Sequence, residues 1–83
     1  MRLEVMLNYC KTVQVMQNLG LNRTRHNVAK NVKFVTRRTV YRHIEILCKI
    51  GLLSMRNRSD GKTSVLLTQE GYDFLQTWGD TIL

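Results

Sequence analysis

The stretch TRRTVYRHIEIL, Thr36 to Leu47, decides how this chain is read. Val40, Ile44 and Leu47 recur at helical spacing, and Thr36 stands where an N-cap belongs. The pattern predicts a helix from Thr36 to about Ile50, ended by Gly51. Yet the first turn carries Arg37 and Arg38, with Arg42 one turn on. A helix N-terminus bears a partial positive charge of about half a unit, so cations there are repelled. By angle, Val40, His43, Ile44 and Leu47 lie on one side. Arg38, Arg42, Glu45 and Lys49 lie on the other, with Thr39 and Tyr41 flanking. A helix that accepts this repulsion is expected to have its arginines placed for an anionic partner.

The neighbouring segments read consistently. Upstream, Thr24 caps a predicted helix over Arg25 to Val32, whose inner face is Val28, Ala29 and Val32. Lys33 to Val35 is a short connection. A first helix is predicted from Arg2 to Leu19, closed by Gly20. It carries two apolar stripes, Leu3, Met6, Leu7, Cys10 and Val13, then Val5, Tyr9 and Met16. One stripe is enough for an ordinary surface helix. Downstream of Gly51 the period changes to two. Leu53 and Met55 are expected inward in one strand, Val65 and Leu67 in the next, with Asp60-Gly61 marking the turn. Thr68 caps a last helix whose apolar side is Tyr72, Leu75, Trp78 and Ile82. The expected architecture is α+β, mostly α, in a single domain over residues 1–83.

Charge is segregated along the chain. The formal net charge is +7. Residues 23–62 hold eleven cations against Glu45 and Asp60, whereas the two flanking segments together are slightly acidic. A basic middle on a near-neutral scaffold suits a polyanion-binding surface. The competing reading is a solvated face that serves solubility. No glycine-rich phosphate loop, paired-carboxylate site or Cys/His ligand spacing is present, so neither an enzyme nor a metal or other cofactor is expected. Cys10 and Cys48 do not make a disulfide framework, and both are expected as buried free thiols, with a disulfide as the alternative. No apolar run is long enough for a bilayer. The N-terminal segment, broken by Glu4, Asn8, Lys11 and Gln14, does not resemble a signal peptide, so a cytoplasmic location is expected.

The segment NVAKNVKFVTRRTVYRHIEILCKIGLLS resembles the helix-turn-helix core of winged-helix transcriptional regulators. Ala29, Thr36-Arg37-Arg38-Thr39-Val40 and Leu47-Cys48-Lys49-Ile50-Gly51-Leu52 carry the likeness. RSDGKTSVLLTQEGYDFL resembles the wing and following helix, with LTQEGYDFL similar to the Leu-Thr-x-x-Gly segment of MarR-like proteins. Lys33 stands where the usual turn has glycine, and the chain lacks the long flanking helices of the MarR family. It is nearer in size to small archaeal, plasmid or viral winged-helix proteins. The resemblance implies a winged helix-turn-helix that binds double-stranded DNA as a transcriptional regulator. It assigns base reading to Arg37, Arg38, Thr39 and Arg42, and phosphate or minor-groove contact to Arg56, Arg58 and Lys62. Thr36 and Tyr41 complete the expected DNA-contact set. A nonspecific architectural DNA binder or a protein-docking adaptor is the alternative.

A homodimer is expected, with residues 1–20 and 69–83 as its interface helices. Val5, Tyr9 and Met16 have no obvious partner within one chain, and Trp78 and Ile82 add apolar surface. Cys10 would then lie near the interface. Two-fold symmetry would set the recognition helices roughly 34 Å apart and call for a palindromic site.

Overall fold

The computed structural model describes the backbone of residues 1–82 and the side chains of residues 1–80. Four helices and one hairpin follow in the order α1 (Leu3–Asn18), α2 (Arg25–Asn31), α3 (Arg37–Lys49), β1 (Leu53–Asn57), β2 (Thr63–Leu67) and α4 (Gln69–Ile82). The fold is α+β and mostly helical. No helix among the described residues is long and apolar enough to cross a membrane.

Local chemistry sets the boundaries. Thr24 and Thr36 cap α2 and α3 by accepting the backbone N–H of Asn27 and Thr39. Thr68 caps α4 by accepting from the Gly71 N–H. Its hydroxyl also reaches the carbonyl of Leu52, which ties the start of α4 to the start of β1. Gly20 and Gly51 take φ values of +67° and +91° just beyond α1 and α3, a region that costs glycine little.

The core is one cluster. Leu7, Tyr9, Cys10, Val13 and Met16 of α1 meet Val28 and Val32, the α3 stripe Val40, Ile44 and Leu47, the strand residues Leu53, Val65 and Leu67, and Leu75 of α4. The buried positions of α1 span about half of its circumference. That explains its two stripes: α4, β2 and α2 all pack against the helix, and Tyr9 meets Phe34 and His43. The expectation that Val5, Tyr9 and Met16 lack a partner within the chain is therefore corrected. Tyr9 and Met16 are buried, and Val5 packs partly buried against the core. Cys10 is buried too, which removes it from any surface where a second copy could reach it. Both cysteines are free thiols, and Cys48 is only partly buried.

Two further expectations change. Met55 is exposed rather than inward, although its cross-strand partner Val65 is buried. In α4 the buried face is Gly71, Leu75 and Gly79, with Phe74 packed beside it. Tyr72 and Trp78 are exposed, and the side chain of Ile82 lies outside the described residues. Gly71 lies so close to β1 and β2 that a Cβ there would run into the Leu52 carbonyl oxygen and the Leu67 side chain.

The hairpin is antiparallel, with Leu53 opposite Leu67 and Asn57 opposite Thr63. Arg58 N–H donates to the Lys62 carbonyl, and Gly61 N–H donates back to the Arg58 carbonyl. Only Gly61 takes a positive φ in this loop, +82°, so Asp60-Gly61 ends a three-residue connection. The segment before α2 runs beside β2. Val65 N–H donates to the Arg23 carbonyl at 2.7 Å, Arg23 Nε donates to the Val65 carbonyl at 3.2 Å, and Thr24 bridges to Ser64. Gln17 of α1 accepts the Leu67 N–H and donates to the Tyr72 hydroxyl, joining α1, β2 and α4.

Candidate nucleic-acid interface

The buried stripe Val40, Ile44 and Leu47 fixes the rotation of α3. With those three inward, Arg37, Arg38 and Arg42 are exposed, and no acidic residue stands in the helix's first turn. Arg38, Thr39 and Arg42 line one surface depression. Thr36 and Thr39 share a hydroxyl–hydroxyl hydrogen bond of 3.0 Å, so the cap itself orients Thr39. Tyr41, half-buried, lies beneath the Arg25 guanidinium, whose carbon sits 5.7 Å from the ring centroid.

On the inner side, His43 Nδ1 is 2.9 Å from the Tyr9 hydroxyl, and the two rings meet edge to face. Desolvation holds His43 below its ordinary value of 6.5, and the charges of Arg42 and the N-terminal amino group act in the same direction. Burial pushes the Tyr9 hydroxyl up to about 12 and the Cys10 thiol up to about 11. At neutral pH Cys10 is therefore an unreactive thiol.

The three hairpin cations are not equivalent. Arg56 and Lys62 are exposed. Arg58 is engaged within the chain: it pairs with Asp60 at 2.9 Å and donates to the Asn22 side-chain oxygen. Of the three residues expected to contact phosphate or the minor groove, Arg58 is the one that also holds the turn. Asp60 Oδ1 also accepts the Lys62 N–H, so one carboxylate both shapes the turn and holds the arginine.

Sequence reasoning passed over a second group, Arg25, His26 and Lys30 on α2. His26 is exposed, and its pKa lies below 6.5 through desolvation and the charges of Arg37, Lys30 and Lys62. Three elements thus bring positive charge to one imidazole. The available signal was the triplet Thr24-Arg25-His26, which repeats the cap-then-cations pattern of Thr36-Arg37-Arg38. Among the described residues only two ion pairs form, Arg2–Glu4 and Arg58–Asp60, so the cations of α2 and α3 go uncompensated. No group of three His, Cys, Asp or Glu side chains among the described residues could hold a metal ion. The uncompensated cations give this face a positive field.

Comparison with family models, curated proteins and solved structures finds no match to this chain.

Proposed function

We propose that the chain is a winged helix-turn-helix regulator that binds double-stranded DNA sequence-specifically. In this reading α3 enters the major groove and the hairpin serves as the wing. The carrying observation is the one-sided, unneutralised cluster of α2, α3 and hairpin cations around His26, beside a helix whose inward stripe leaves Arg37, Arg38 and Arg42 outward. Arginine suits this position because its planar fork matches O6 and N7 of guanine. The phosphate field offsets the repulsion that the helix terminus imposes on those side chains. Arg56 and Lys62 supply the wing's backbone contacts.

The test compares specific and random duplexes. Replacing Arg37 or Arg42 by Ala should weaken binding at the selected site by about 1–3 kcal/mol and at random duplex by less. The selected site comes from enrichment of a random duplex pool. Equal losses on both duplexes would make the protein an architectural binder. No duplex binding at any salt concentration would leave a protein-docking adaptor.

A further inference from the structure

A cleft of about 400 Å³ opens between α2, α3 and the hairpin, lined by Thr24, Arg25, His26, Tyr41, Lys62 and their neighbours. Among the described residues no carboxylate lines it. It shares no residue with the depression at Arg38, Thr39 and Arg42. The cleft brings together a guanidinium, an imidazole and an ammonium from two separate elements, with the Tyr41 ring supporting Arg25. Resting on the DNA-binding reading, we propose that this cleft seats one backbone phosphate of the bound duplex between Arg25, His26 and Lys62, and that seating it places a proton on His26.

The charges facing His26 all have one sign. Arg25 and Lys30 come from its own helix, Arg37 from α3 and Lys62 from the hairpin, while Tyr41 contributes a neutral phenol. In the free protein desolvation, with the charges of Arg37, Lys30 and Lys62, disfavours imidazolium and holds His26 below its ordinary 6.5. A phosphate in the cleft reverses the local field, because an opposite charge within hydrogen-bonding reach favours the charged form. The bound state then holds one more proton than the free state. Binding must tighten as pH falls through the interval between the free and bound titrations of His26. Each unit of separation is worth tenfold in affinity once the proton is fully taken up. Because the contact is to a phosphate, the gain carries no sequence information and applies equally to any duplex.

The experiment measures duplex affinity at pH 5.5 and 7.5, at constant ionic strength, for the wild-type chain and His26→Gln, with circular dichroism confirming the fold at both pH values. The wild type should bind roughly threefold to tenfold tighter at pH 5.5, by the same factor on selected and random duplexes. His26→Gln should lose that gain while still binding at pH 7.5. An unchanged pH response in His26→Gln, or none in the wild type, would overturn the phosphate site while leaving the DNA-binding reading intact. Absence of duplex binding at both pH values would overturn that reading and the site together. A second arm follows the His26 imidazole by NMR, with duplex or with inorganic phosphate alone. Duplex should raise its titration midpoint, whereas inorganic phosphate should leave it in place. An equal shift by inorganic phosphate would identify a free-anion site and refute the duplex assignment.

Discussion

At the scale of single residues, Asp60 controls how many cations the hairpin presents. It holds the Arg58 guanidinium at 2.9 Å while accepting the Lys62 N–H. An asparagine retains the oxygen that accepts this N–H and loses the charge that holds the arginine. Asp60→Asn should therefore free Arg58 without opening the turn. Duplex binding should tighten, and its log–log salt slope should steepen by about 0.9 if Arg58 gains one phosphate contact. An unchanged slope in a salt titration would mean that Asn22 alone keeps Arg58 occupied. The Tyr9–His43 pair acts on stability instead. His43 titrates below 6.5 in the folded chain, so its contribution is fully present above pH 6.5 and is lost as pH falls through the lowered folded value. Urea midpoints should accordingly fall on acidification, and less steeply in His43→Gln. Tyr9→Phe should cost about 1–3 kcal/mol by the same measurement, because it leaves the imidazole nitrogen without its partner.

At the scale of elements, two glycines of α4 make opposite predictions. Gly71 has no room for a Cβ against the Leu52 carbonyl oxygen, which is backbone and cannot step aside. Gly71→Ala should destabilise by about 1–3 kcal/mol or more in urea denaturation. At Gly79 a Cβ would meet only Lys11 Cε, at 3.6 Å, an ordinary contact. Gly79→Ala should be neutral or stabilising, by up to about 1 kcal/mol, since alanine is the better helix former. The order of elements was legible because capping threonines, terminal glycines and the change of period all mark boundaries locally. The inward faces were less so. Apolar stripes on α1 show which side chains avoid water but not how many neighbours wedge the helix, and so Tyr9 and Met16 read as unpartnered. Tyr72 and Trp78 continue an apolar spacing, yet the chain turns Gly71 and Gly79 inward, and at Gly71 the close approach of Leu52 and Leu67 requires glycine. For the candidate interface, the misfit between Arg37–Arg38 and the helix dipole was readable in the sequence. For His26 only the Thr24-Arg25-His26 triplet was readable, while its setting among Arg37, Lys30 and Lys62 is assembled by the fold.

At the scale of the whole molecule, the basic surface belongs to residues 23–62, and the α1 and α4 segments are near neutral. A homodimer through those segments remains the proposal, but its residues change. Tyr9 and Met16 are spent inside the chain, leaving Val15, Leu19 and Leu21 around a groove of about 290 Å³, and Trp78 on α4, as exposed apolar groups. Sedimentation equilibrium at micromolar concentration should give twice 9.7 kDa for the wild type and 9.7 kDa for a Val15→Glu, Leu19→Glu double variant. A wild-type species of 9.7 kDa at every concentration would refute the dimer. The backbone and side-chain bonds between Arg23 and Val65, together with the Thr24–Ser64 bridge, fasten the hairpin to the segment that leads into α2. Thr68 fastens the hairpin's far end to Leu52. The hairpin is thus bonded along β2 to the rest of the frame. The span from its tip to the leading end of α3 works as a fixed gauge. On the proposed DNA-binding reading, a duplex laid across both would have to match that gauge or be bent until it does. The elastic cost then falls on the nucleic acid, and sequences that bend easily are favoured at positions no side chain touches.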